Sequence, residues 1–146
     1  MANDSPLRLL VSVRPRFARE IMLGTKRVEL RRVRPAVGPG DEIVIYETSP
    51  TCAVVCRAVV DEVLSGPVAR LWRRVGSVSG MARSEFLAYY RGVENGFAIR
   101  LHGVESLDVP VSLHTLRRAG PGFAPPQSYH YLLAERARDR RFAACL

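Results

Sequence analysis

Residues 7–31, LRLLVSVRPRFAREIMLGTKRVELR, change their hydrophobic period three times, and those changes decide the fold. Leu7 to Val13 is an apolar run with β-branched members and reads as a strand. Pro15 follows where a first helical turn tolerates a missing N–H, and Phe17, Ala18, Ile21 and Met22 recur at helical spacing. Gly24 supplies a left-handed helix stop. Val28 and Leu30 then alternate with Arg27, Glu29 and Arg31, which predicts a half-buried strand whose polar side, shared by Glu29 and Arg31, faces outward. Lys26 lies in the turn between, where alternation does not fix its direction.

Downstream, Gly38-Pro39-Gly40-Asp41 is a turn signal, and Glu42 to Thr48 and Cys52 to Leu64 read as two strands flanking a turn at Ser49-Pro50. Val68, Leu71 and Trp72 predict a short helix. Met81 to Arg91 predicts a longer one ended by Gly92, with Phe86 and Tyr90 toward the core and Glu85 and Tyr89 together on a neighbouring face. Asn95 to His102 and Val104 to Val111 return to strand character, a helical turn starts at Ser112, and Ser128 is placed to cap a final helix. Five or six strands with short interspersed helices and no regular strand-helix alternation exclude a doubly wound parallel sheet. They predict an α+β, mainly β fold: a small, mostly antiparallel β-barrel with short flanking helices. Nothing divides the chain, so one domain over 1–146 is expected, its core about 7–133, with a basic helix or tail over 134–146.

The charge is uneven. A net +8 and a pI near 10.2 point to an anionic partner, nucleic acid first. Arg8 to Arg34 alone holds nine cations against two carboxylates. Arg136-Ala137-Arg138-Asp139-Arg140-Arg141 is a second basic run and reads as a solvated helix face. Cys52, Cys56 and Cys145 are odd in number without paired spacing, and Met1 to Pro6 has no leader pattern, so a reducing, cytoplasmic location is expected. No run reaches the ~18 apolar residues of a membrane span. Cys52 and Cys56 read as small buried hydrophobes on one strand face. His102, His114 and His130 lack ligand spacing, so neither a metal nor another cofactor is expected.

Lys26 is the only lysine beside twenty-one arginines. An ammonium loses its proton readily on burial, whereas arginine stays charged, so this position is a candidate for an amine's chemistry. The same residues are also compatible with a plain salt-bridge brace of the turn by Lys26, Glu29 and Arg31.

The string Gly24-x-Lys26-x-x-Glu29-x-Arg31 after a strand-Pro-helix opening resembles the signature of the ASCH domain, a branch of the PUA-like superfamily of RNA-associated β-barrels. Gly40-Asp41 before a strand ending in Tyr46, the helix with Phe86 and Tyr89-Tyr90, and Pro125-Pro126-Gln127-Ser128 extend the likeness over about Leu7 to Leu133. The resemblance implies a cleft between barrel and first helices that takes RNA or a nucleotide. Lys26, Glu29, Arg31, Arg14, Tyr46 and Tyr89 are the candidate binding residues, the tyrosines as stacking platforms for single-stranded RNA. The tyrosines are equally readable as core residues.

Related families imply catalysis in two forms. Some members are ribonucleases, for which Lys26 with Glu85 or Glu29 would serve as acid and base. Others are amidohydrolases of N-acetylated cytidine that use a lysine, a threonine and a glutamate. Lys26 matches the lysine and Glu85 the glutamate in place, but the threonine position holds Glu29, a carboxylate that would repel a developing oxyanion. A regulatory module that contacts a protein partner is the third expectation.

Overall fold

Strand β1 (Arg8–Val13) lies inside the sheet, and its apolar run is continuous because both of its faces are covered. The computed structural model describes residues 6–133 and 135–146; residues 1–5, read above for a leader, and Ala134, which opens the basic C-terminal segment, lie outside the described residues. Helix α1 (Pro15–Leu23) starts at Pro15 and stops at Gly24, whose φ of 83° is left-handed. β2 (Val28–Arg31), β3 (Glu42–Glu47) and β4 (Ala53–Pro67) follow, then α2 (Val68–Val75), a short 3-10 turn at Gly76–Val78 and α3 (Arg83–Tyr89). β5 (Asn95–Ser112), α4 (Leu113–Ala119), β6 (Tyr129–Leu132) and α5 (Ala137–Cys145) complete the described elements.

The six strands form one sheet in the order β2-β5-β4-β3-β1-β6, antiparallel except for the parallel pair β1–β3. It curls into a half-barrel. Register shifts in the long β4–β5 ladder, at Val54/Cys56, Arg57/Val59 and Val60/Glu62, bend these strands as bulges do. The curl brings the two edge strands within reach of side chains. Arg31 on β2 donates to Ser128 Oγ at 2.9 Å, just before β6, and its guanidinium lies 5.6 Å from the Tyr129 ring centroid.

Alternation assigns the core. Leu9, Val11 and Val13 pack with Ile43, Ile45 and the buried Ala18 and Ile21 of α1. Leu10, Val44 and Tyr46 face the other way, onto Leu116 of α4, Phe123 and Phe142 of α5. A third cluster, Val28, Leu30, Leu71, Val75, Phe86 and Tyr90, joins β2 to α2 and α3.

Three expectations need correcting. Ser128 caps no helix; it leads into β6, which pairs with the free edge of β1 (Leu10↔His130), and the final helix begins only at Ala137. Asn95–Ser112 is one strand, not two, with Gly103 at a φ of 57° inside it. Cys52 precedes β4 and packs against the second cluster while Cys56 joins the first, so the two do not share a face.

Candidate functional site

Glu29 and Arg31 do share a face, but it does not look outward. Every residue of β2 is buried, and Glu29 and Arg31 are 9% and 8% exposed. The reason is non-local: the sheet curls, and the segment before β6 covers their side. A carboxylate and a guanidinium removed from water must satisfy each other. Arg31 Nη2 donates to Glu29 Oε1 at 3.0 Å and Nη1 to Ser128, while Arg31 Nε is buried without a hydrogen-bond partner among the described residues.

Lys26 is 3% exposed. Its Nζ donates to the Ser79 carbonyl at 2.6 Å and lies 4.8 Å from the Phe17 ring centroid. Burial pulls the ammonium below its ordinary pKa, and the charges of Glu29 and Glu20 offset only part of that. The turn after α2 makes this environment. Ser79 Oγ donates to Gly76 O at 2.7 Å and accepts from Met81 N at 3.2 Å, which fixes the carbonyl that Lys26 meets. Gly80 has a φ of 72°, and a Cβ there would strike the Glu20 carboxylate and lie 3.4 Å from Lys26 Cδ. Gly80→Ala is therefore expected to cost about 1–3 kcal/mol, measured by urea denaturation, because backbone strain and crowding add. A variant as stable as the wild type would show that the turn yields freely.

These groups line one cavity of about 590 Å³, bounded by Ser12, Val13 and Arg14 at the end of β1, by Phe17, by β2, by Glu85, Ala88 and Tyr89 of α3, and by Gln127 and Ser128. Arg14 is exposed at its mouth. Glu85 also stands on the wall, held by Arg16 through 2.9 and 3.0 Å hydrogen bonds. The hydrogen bond from Arg16 keeps its carboxyl below the usual carboxylate range, so it is ionised at neutral pH and a weak base. Tyr89 donates its hydroxyl to Leu30 O at 2.7 Å, and burial raises its pKa. Its hydroxyl is thus occupied, and its ring is what remains for a ligand.

Lys26, Glu29, Arg31, Arg14, Tyr89 and Glu85 thus come together. Tyr46 does not. It is 2% exposed in the cluster with Leu10 and Phe123, on the face of β3 opposite α1, and burial together with Cys52 pushes its hydroxyl up to about 12. Sequence reasoning missed Ser79, which acts through a backbone carbonyl and leaves no side-chain signal, and read Phe17 only as part of the helical spacing of α1. Among the described residues no group of three or more His, Cys, Asp or Glu side chains could hold a metal ion.

The ASCH domain family matches residues 11–103. An ASCH domain-containing ribonuclease of Zymomonas mobilis is 32% identical over 126 residues, covering 86% of this chain and 84% of that protein. The crystal structure of an ASCH protein from Zymomonas mobilis superposes with a TM-score of 0.85 at 29% identity, covering 94% of each chain. An NMR structure from Rhodopseudomonas palustris, 17% identical with a TM-score of 0.52 and 94% of each chain covered, shares the fold alone.

Proposed function

The chain belongs to the ASCH domain family, and from that premise we propose that it binds single-stranded RNA, seating one nucleotide in the cavity around Lys26, Glu29 and Arg31. The observation that carries this reading is the burial of three charged groups on the wall of one nucleotide-sized cavity, with an Arg31 Nε–H left unpartnered. Buried donors without acceptors cost free energy, and a ligand that supplies the acceptor recovers it. Arg14 at the mouth would meet a phosphate, Tyr89 offers ring surface to a base, and Glu29 with Gln127 offers acceptors and donors to its edge.

Cleavage of the strand is the second reading, favoured by the depressed pKa of Lys26 and supported by the ribonuclease relative. A neutral amine spends one N–H on Ser79 O and keeps a lone pair. It would take the proton from a ribose 2′-hydroxyl as that oxygen attacks the adjacent phosphorus, the 5′-oxygen leaving with a proton from water. Arg31 would stabilise the charge that builds on phosphorus oxygens. The threonine position of the amidohydrolase pattern holds Glu29, a carboxylate, and this departure disfavours that reading.

Binding of an oligouridylate to wild type, Arg14→Glu and Arg57→Gln tests the main reading. Arg57 sits on β4 beside Glu105, outside the cavity lining. Arg14→Glu should lose about tenfold or more in affinity at low salt, and Arg57→Gln much less. Equal losses, or no binding by the wild type, would remove the cavity from the argument.

A further inference from the structure

Most of the ion pairs in this molecule match one arginine with one glutamate: Arg8–Glu42, Arg16–Glu85, Arg31–Glu29, Arg57–Glu105 and Arg100–Glu62. The segment 113–146 breaks that pattern. It holds six arginines and two acidic side chains, and one of these, Asp139, is 1% exposed and accepts from Leu133 N at 2.9 Å. Three of the arginines converge on the turn Ala119–Phe123, which Phe123 N closes on Gly120 O at 3.0 Å. Arg117 Nε donates to Phe123 O at 3.2 Å and Arg141 Nε to Ala119 O at 2.7 Å. The stem of Arg138 packs on Gly120, where an added Cβ would come within 2.9 Å of its Cγ. Its guanidinium lies 5.9 Å from the Phe142 ring centroid.

Backbone carbonyls orient two of these forks, those of Arg117 and Arg141, without neutralising them. Arg117 and Arg141 are each held by the Nε edge, and among the described residues their terminal nitrogens make no hydrogen bond; all three residues are exposed. Arg138 forms a long ion pair with Asp139, whose Oδ1 stands 3.7 Å from Arg138 Nε. Converging like charges repel, and a doubly forked, pre-oriented arginine cluster suits a phosphate better than any other common anion. We propose that the α4–α5 junction, through Arg117, Arg138 and Arg141, is a phosphate-binding site that holds the RNA backbone beyond the cavity. It lies outside the residues matched by the family, 11–103. The choice of RNA rests on the reading given under Proposed function; the site itself does not. Phe123 and Gln127 are four residues apart, so at most ~14 Å of chain separates the cluster from the cavity wall, close enough for one strand to touch both.

The test compares uridine monophosphate with an oligouridylate on wild type and on the triple variant Arg117→Gln, Arg138→Gln, Arg141→Gln. The monophosphate should bind both alike, while the oligonucleotide should bind the variant about tenfold or more weakly at low salt. The log–log salt slope should also shrink, by ~0.7 for each phosphate that the site holds. An unchanged oligonucleotide affinity and slope would overturn the proposal. Because Arg117 and Arg141 also brace the turn, a second measurement uses the wild type: oligouridylate should shift the amide resonances of Gly120 and Gly122, and unmoved resonances would overturn it equally. If the monophosphate fails to bind while the triple variant still loses oligonucleotide, the cavity reading falls and this site stands.

Discussion

On the cleavage reading, Lys26→Arg is expected to abolish RNA turnover, by about a hundredfold or more, the lower range of what a positioned acid or base contributes. The substitution keeps a cation but removes the titratable amine, since a guanidinium holds its proton at any accessible pH. It also forces a larger, planar group into a site fitted to one ammonium between Ser79 O and the Phe17 ring, so lost stability must be separated from lost chemistry. Lys26→Met does this. It preserves the stem and gives up the buried charge, at the cost of an unpartnered Ser79 carbonyl worth about 1–3 kcal/mol.

The pH dependence adds a sign that a solvent-exposed lysine would not produce. The folded pKa of Lys26 lies below its unfolded value, so between the two the unfolded chain binds more protons and stability rises with pH. The burial penalty is full below the folded pKa and gone above about 10.5, the ordinary lysine value. The stability of wild type relative to Lys26→Met should therefore climb with pH in that window, read from urea denaturation at several pH values. On the cleavage reading, turnover by the wild type should rise through the folded pKa as the neutral amine forms. Parallel stability curves and an unchanged turnover in both variants would reduce Lys26 to a structural cation.

The stretch that carried the sequence reading, β1–α1–β2, was legible because its signals are local: a proline at a helix start, a glycine at its end, and period changes within a few residues. Local signals also set Phe86 and Tyr90 inside and Glu85 beside Tyr89. What escaped is what the far chain imposes. β6 is four residues long and exists because β1 offers an open edge; nothing in Tyr129-His130-Tyr131-Leu132 announces it over a helix approach. The same return of the chain buries Glu29 and Arg31, whose alternation alone reads as a solvated face. Tyr46 failed as a cavity residue by parity: one position along β3 decides between α1 and α4–α5, and family likeness does not count positions. Lys26 was found by composition, while its partner, a carbonyl, could not be.

That imposed burial leads to the largest expected loss of stability. Arg31→Met should cost about 3–5 kcal/mol, because it leaves Glu29 as a buried carboxylate without its counter-ion. The two side chains are only 10% and 11% exposed, so solvent cannot take over as it does for Arg16–Glu85 at the rim. Arg31 also ties one edge of the half-barrel to the other through Ser128 and Tyr129, and methionine can restore neither bond. Glu29→Gln combined with Arg31→Met removes the stranded charge and should recover a good part of the loss, since replacing both members of a buried pair is often close to neutral. The recovery separates the cost of a buried charge from the cost of unfastening the sheet edges: denaturation midpoints of the two singles and the double give it directly. A double variant no more stable than Arg31→Met would assign the loss to the bridge to Ser128 and Tyr129, and an Arg31→Met within 1 kcal/mol of wild type would mean that water reaches Glu29 after all, against the burial on which the cavity reading depends.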